Sequence, residues 1–151
     1  MRLFKGDTTM NKTKKLAIAT TIANKVTSYL RDVSLAKFDN GDYSSNGIMT
    51  QKLLKMNRVK VNFDADKCDE FEKILTNKIM NEIYGIIDGL YIDYHPDSNI
   101  TETMNQVFGE DWNSTSVFPW KTIIRYDQTK DKVFIKEGYG ADKVEIPLVE
   151  V

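Results

Sequence analysis

The chain contains few of the residues that build disulfides, metal centres or membrane spans. Its 151 residues include one cysteine, Cys68, and one histidine, His95. A lone cysteine excludes a disulfide within the chain and favours a reducing, cytoplasmic setting. A lone histidine cannot supply a zinc site built from several histidines. Because no apolar run approaches the roughly 18 to 20 residues of a transmembrane helix, we predict a cytoplasmic protein that binds no cofactor, metal or membrane.

Familiar catalytic motifs are also missing from the sequence. It contains no Walker loop, no G-x-G-x-x-G, no paired CxxC, no HExxH and no G-x-S-x-G. His95 stands between Asp93 and Asp97, a pattern that would suit a metal site or a general base oriented by a carboxylate. Pro96 disfavours helical geometry at His95, so the stretch "YIDYHPDSN" predicts a turn instead. We therefore predict that the protein is not an enzyme, and a small hydrolase centred on His95 remains an alternative.

The composition predicts one folded domain. Apolar residues make up 41% of the chain and charged residues 28%, values typical of soluble globular proteins. A chain of this length can bury a substantial core without dividing into several domains. We place a single α+β domain at residues 13–151 and a flexible lead at residues 1–12, where Met10 is a second candidate for the native start.

Two long segments have the periodicity of amphipathic helices. Residues 13–37 carry apolar side chains at steps of three and four, the pattern of one buried helical face, with Thr13 as the candidate cap. Residues 64–90 repeat the pattern after a candidate cap at Asp64 or Asp66. Seven residues form the apolar stripe of this second helix: Cys68, Phe71, Leu75, Ile79, Ile83, Ile86 and Leu90.

Shorter elements fill the remainder of the first two thirds. Between the long helices, residues 38–63 predict a loop, a short helix and a strand in that order. Residues 100–109 predict another short helix, capped by Ser98 or Thr101 and closed by Gly109.

The last third of the sequence is rich in strand-forming residues. Two β-rich runs flank the turn "DQTKD" and predict a hairpin over residues 121–138. The ending "KVEIPLVEV" predicts a third strand, in which Pro147 suits an edge position. The chain therefore predicts an α+β fold, helix-rich in its first two thirds with two long amphipathic helices, and with an antiparallel sheet formed mainly by the C-terminal third.

Charge is divided unevenly along the chain. Residues 1–63 contain 12 Lys plus Arg and 4 Asp plus Glu, whereas residues 64–151 contain 9 and 18. The halves therefore carry formal charges of +8 and −9, which nearly cancel. Three interpretations are open. In the first, the halves face each other within one fold; in the second, the basic half contacts phosphate; in the third, the two poles pair between subunits in a head-to-tail assembly.

Two segments predict a protein interface. The loop 112–120 carries Trp112, Phe118 and Trp120, and aromatic side chains supply much of the energy of protein interfaces. The hairpin adds Arg125 and Tyr126, together with basic residues at positions 130, 132 and 136. The alternatives are that the aromatic rings pack onto the core of their own domain and that the hairpin charges only keep the surface soluble.

The first helix suggests nucleic-acid binding as an alternative function. Its candidate contacts with phosphate are Lys12, Lys14, Lys15, Lys25 and Arg31. The loop that follows is long for a helix-turn-helix unit, so the sequence does not support reading of specific DNA bases.

The observations together favour binding over catalysis. We predict a non-enzymatic protein–protein interaction or assembly protein that oligomerises or docks on a larger protein. A Lys- and Asn-rich chain without motifs is typical of small structural or accessory components of viruses and mobile elements, which would place it in the host cytoplasm or the virion. Nucleic-acid binding by the basic N-terminal half and hydrolysis at His95 are the alternatives.

Overall fold

The computed structural model describes residues 10–38, 63–92, 95–112, 117–119, 121–138 and 140–151. The loop, short helix and strand predicted between residues 39 and 62 lie outside this part. Four helices and four strands follow one another in the described residues: α1 Lys12–Phe38, α2 Ala65–Asn81, α3 Ile83–Asp88, β1 Leu90–Tyr91, α4 Ser98–Phe108, β2 Thr122–Asp127, β3 Lys132–Glu137 and β4 Val144–Ile146. This order confirms the predicted α+β class.

Helix α1 begins one residue before its predicted start. The Asn11 side chain accepts a hydrogen bond from the backbone N–H of Lys14 at 2.8 Å, so Asn11 is the cap and Thr13 lies inside the first turn. Met10 packs against the core, which makes residues 10–12 part of the folded domain. The residues Ala19, Ile22, Val26 and Leu30 are completely buried, as the periodicity predicts, and Ile18 is buried beside them.

The second predicted helix is two helices in the structure. Asp64 caps α2 by accepting a hydrogen bond from the Lys67 N–H at 2.8 Å, as predicted. The helix is interrupted at Glu82, whose φ of −124° is not helical, and α3 continues from Ile83. All seven residues of the predicted apolar stripe are buried, but Leu90 belongs to β1 and not to the helix.

Helix α4 packs against α2 and closes one side of the core. Asp97 caps it by accepting from the Asn99 N–H at 3.2 Å, in place of the predicted Ser98 or Thr101. Gly109, at a φ of +80°, ends the helix as predicted. The Phe108 ring meets the Phe63 ring edge-on, with 4.8 Å between ring centroids.

The four strands form one antiparallel sheet in the order β1-β2-β3-β4. The predicted hairpin is confirmed as β2 and β3, and the predicted third strand as β4, which ends directly before Pro147. Strand β1 was not predicted, because a two-residue strand leaves no periodicity. It is placed by Gly89, whose φ is +126° and at which a Cβ would lie 2.6 Å from Cδ1 of Ile123.

Ion pairs join the basic first half of the chain to its acidic second half. Lys14 pairs with Asp131 at 2.7 Å and Lys25 with Glu137 at 3.6 Å. From Lys14 to Lys25 the helix rises about 16 Å, and from Asp131 to Glu137 the strand spans about 20 Å. Helix α1 therefore runs along β3. These pairs support the interpretation in which the two charged halves face each other within one fold.

A third connection ties α1 to α2. One guanidinium nitrogen of Arg31 lies 2.9 Å from a carboxylate oxygen of Asp69 and 3.1 Å from one of Glu72.

Among the described helices, none is long and apolar enough to cross a membrane.

Candidate binding surface

The alternation of side chains in the strands gives the sheet two different faces. Residues paired across antiparallel strands point to the same side, and successive residues alternate. The inner face packs on the core and contains Leu90, Ile124, Tyr126, Val133 and Ile135, all buried. We name the opposite side the outer face. Its members are Tyr91, Ile123, Arg125, Asp127, Lys132, Phe134, Lys136 and Glu145.

Phe134 lies at the centre of a basic cluster on the outer face. Arg125 is its direct partner on β2. The ammonium nitrogens of Lys143 and Lys130 lie 4.6 and 5.7 Å from the centroid of its ring, distances at which a cation is attracted to an aromatic face. The ring is half-buried, so the lysines lie over an aromatic surface that stays within reach of solvent.

A cleft of about 550 Å³ opens at one end of the outer face. Tyr91, Ile123 and Lys136 lie side by side in it because they are paired across β1, β2 and β3. The Tyr91 side chain is prominent, with 56% of its surface exposed. The rest of the described lining consists of His95, Lys121, Thr122, Gly138 and Gly140.

The backbone at the mouth of the cleft is tightly turned. Lys121 has a φ of +59° and Gly138 a φ of +110°, and the Gly138 N–H donates to the Lys121 carbonyl at 3.3 Å. This bond holds the ends of β2 and β3 together, and it fixes the chain on which Lys121 is carried. Thr122 has a buried hydroxyl oxygen without a hydrogen-bond partner in the described part of the chain, an uncommon arrangement for a buried polar atom.

Positive charge predominates on this side of the sheet. The outer face and its rim hold six Lys or Arg side chains, at positions 121, 125, 130, 132, 136 and 143, against the carboxylates of Asp127 and Glu145. Glu145 pairs with Lys132 at 3.3 Å. Within the described residues, no ion pair engages Arg125 or Lys136.

Asp127 has a structural role in the hairpin turn. Its side chain accepts a hydrogen bond from the Lys130 N–H at 3.0 Å. This bond, opposed in part by desolvation, lowers the pKa of Asp127 below its usual value. The carboxylate therefore stays charged at neutral pH while it closes the turn.

The residues predicted for a protein interface are divided by the structure. Phe118 and Tyr126 are buried, at 4% and 3% exposure, and belong to the core. Trp112 is half-buried; its indole N–H donates to Asn105 at 2.6 Å, and its ring meets Phe118 edge-on. Arg125 is exposed on the outer face. These positions match the alternative in which the loop rings pack onto their own domain, and Trp120 lies outside the described residues.

Tyr126 is held inside the hairpin by Asp131. Its hydroxyl donates to that carboxylate, which also accepts from Lys14. Burial, reinforced by this hydrogen bond, raises the pKa of Tyr126, so its hydroxyl stays protonated. Tyr126 therefore supports the fold and does not extend the outer face.

The cations predicted to meet nucleic acid on α1 are mostly engaged within the chain. Lys14, Lys25 and Arg31 form the ion pairs with the acidic half. The ammonium of Lys15 lies 5.3 Å from the centroid of the Tyr84 ring. Lys12 is exposed at the helix start. If the protein binds an anion, the outer face offers a denser group of cations than α1 does.

The surroundings of His95 and Cys68 bear on the possible chemistry. His95 is exposed in a bend, as predicted, on the lining of the cleft. No three described His, Cys, Asp or Glu residues are grouped so as to hold a metal ion. Burial raises the pKa of the Cys68 thiol to about 11, so it stays protonated at neutral pH, as expected for a core residue.

Sequence reasoning missed Tyr91 and Phe134 as surface residues. The alternation of β2 and β3 was visible and would have placed Phe134 beside Arg125, once the register of the hairpin was known. Tyr91 had no such signal, because its strand is formed only by contact with β2.

No protein-family model matches the chain, and no curated protein or solved structure matches it either.

Proposed function

We propose that the chain is a non-enzymatic binding protein that docks on a larger, negatively charged partner through the outer face of its sheet. The observation that carries this proposal is the position of Arg125 and Lys136. Both are exposed on the outer face, and neither has a carboxylate partner among the described residues. Most of the candidate cations on α1, by contrast, are paired within the fold.

The contrast between local and total charge strengthens the argument. The formal net charge of the chain is −1, so an evenly charged molecule of this composition would not be drawn to a polyanion. Most of the N-terminal cations are engaged in internal ion pairs, and the outer face is a separate basic surface. Its local positive potential steers an anionic partner to that face.

Chromatography on immobilised heparin tests the proposal. We expect the protein to be retained in spite of its net charge and to elute earlier when Arg125→Gln and Lys136→Gln are combined. Lys67→Gln with Lys73→Gln is the matched control, since both lysines are exposed on α2 and the change in net charge is the same. No retention of the native protein, or equal shifts for the two double variants, would refute the role of the outer face.

Self-association across β4 is a second candidate. Val144 is 57% exposed, and β4 has a strand on only one side in the described part of the chain. The strand has only three residues and is followed by Pro147, both of which limit pairing at a sheet edge. An assembly held by opposite charge poles has less support, because Lys14, Lys25 and Arg31 are paired internally.

Light scattering coupled to size-exclusion chromatography decides this second candidate. Pairing through β4 predicts a dimer that persists at high salt and becomes a monomer in Val144→Pro, which removes a backbone donor from the strand. A monomer at all salt concentrations would eliminate it. A setting in a virus or mobile element stays a prediction from composition.

A further inference from the structure

We infer that the negatively charged partner is single-stranded nucleic acid, with Tyr91 and Phe134 stacking on its bases and the surrounding cations meeting its phosphates. This inference rests on the proposed function and names the chemistry of the partner. Proteins that bind single strands without sequence preference combine a positively charged surface with aromatic rings on which bases stack. Both features occur together on the outer face.

Phe134 is the first ring on which a base can stack. Its ring lies beside Arg125 and beneath the ammonium groups of Lys143 and Lys130. A nucleotide is a flat base joined to a phosphate, so one nucleotide can meet the ring and a neighbouring cation at the same time. Lysine side chains are flexible enough to leave the ring face for a phosphate while a base takes their place.

Tyr91 is the second ring on which a base can stack. Its side chain is 56% exposed and lies in the same row of the sheet as Lys136. Lys121, directly before β2, lines the same cleft. A ring exposed to this extent is within reach of a base, and Lys136 lies two strand spacings away in the same row, with Ile123 between them.

The two rings are far enough apart to take one base each. Tyr91 and Phe134 are two strand spacings apart across the sheet, with β2 between them, and two residues apart along it. With the usual strand spacing and rise, their Cα atoms are about 12 Å apart. Each ring can therefore take its own base, and Arg125 and Lys136 lie between them to contact the connecting backbone.

A duplex and an acidic protein fit the same surface less well. The faces of bases in a duplex are hidden in its stack, so exposed rings cannot reach them. An acidic protein surface would meet the cations but offers no flat partner for Tyr91 and Phe134. The rings therefore favour single-stranded nucleic acid among the polyanions.

Fluorescence anisotropy with labelled strands of about 12 nucleotides, within the usual site size for such proteins, tests the inference. The unlabelled competitors are a duplex of equal length, heparin and polyglutamate. The variants are Tyr91→Ala, Phe134→Leu, which keeps apolar bulk but removes the ring face, and the control Tyr84→Ala, an exposed tyrosine on α3.

Single-stranded RNA or DNA should bind more tightly than the duplex or polyglutamate. Removal of a stacking ring should weaken the binding by roughly 5- to 150-fold, while Tyr84→Ala should leave it unchanged. Equal binding of duplex, preference for polyglutamate, or unchanged binding in Tyr91→Ala and Phe134→Leu would overturn the inference. If heparin still binds and Arg125→Gln with Lys136→Gln still weakens that binding, the proposed function survives; if neither holds, both fail.

Discussion

The dependence of binding on salt follows directly from the number of cations on the outer face. Five Lys or Arg side chains surround the two rings: Lys121, Arg125, Lys130, Lys136 and Lys143. Each phosphate contact with a single strand adds about −0.7 to the slope of log K against log salt concentration, so five contacts give about −3.5. Between about 50 and about 200 mM salt, the affinity should then fall roughly 130-fold.

Neutralising two of these cations should reduce the slope by a known amount. In Arg125→Gln with Lys136→Gln, three contacts remain, and the slope becomes about −2, equivalent to a loss of roughly 20-fold over the same salt range. The control Lys67→Gln with Lys73→Gln should keep the slope of the native protein. Anisotropy titrations of one labelled single strand at four or more salt concentrations measure all three slopes.

Affinity and slope together distinguish phosphate contact from an effect on the fold. A lower affinity in Arg125→Gln with Lys136→Gln, but with an unchanged slope, would show that these residues act through the fold and not through phosphate contact. Circular dichroism of the three proteins would separate that outcome from simple unfolding. A slope near zero for the native protein would show that its binding does not depend on phosphate at all.

Three further predictions concern stability and are measured by urea or thermal unfolding. The hydrogen bond from Lys14 lowers the pKa of Asp131 below its ordinary value, so the stability that the pair adds is present above that ordinary value and is lost as the pH falls through the folded-state pKa. Asp131→Asn should be less stable than the native protein at pH 7, by at most about 1 kcal/mol because the pair is exposed. A difference that did not shrink as the pH was lowered would contradict this. Gly89→Ala should lower the free energy of unfolding by about 1 to 3 kcal/mol because of the positive φ at this position. Gly85→Ala should raise it by about 0.4 to 1 kcal/mol, since Gly85 is helical and has open space around the new Cβ. Similar effects at the two glycines would contradict the different backbone conformations assigned to them. Thr122→Val should leave stability unchanged or raise it by about 1 kcal/mol, since the lost hydroxyl has no hydrogen-bond partner among the described residues. A clear destabilisation would show that the hydroxyl does have one.

Local sequence determined the elements that local chemistry can specify. The face of α1 and the stripe of α2 follow from apolar periodicity, because a helix can be stable only when that face is buried. Asp64 and Gly109 mark helix ends through a side-chain acceptor and a positive φ, and both are properties of single residues. The hairpin was predictable for the same reason, since β2 and β3 are adjacent in the chain.

Long-range contact decided what the sequence left open. The apolar stripe runs without a break through Glu82, where the structure divides α2 from α3, and β1 exists only through its pairing with β2. The outer face exists because the register of three strands places Tyr91 in one row with Lys136 and Phe134 beside Arg125. A shift by one residue in any strand would have turned that strand's side chains to the other face.

The charges show the same distinction. The excess of positive charge in residues 1–63 and of negative charge in residues 64–151 can be counted in the sequence, but the count assigns no partner to any charge. The packing of α1 along β3 joins Lys14 to Asp131 and Lys25 to Glu137, and it leaves Arg125 and Lys136 on the opposite side of the sheet. Composition fixed the amount of charge, and tertiary structure decided which cations are neutralised inside the fold and which face outward, because Coulomb attraction depends on distance in space and not on distance along the chain.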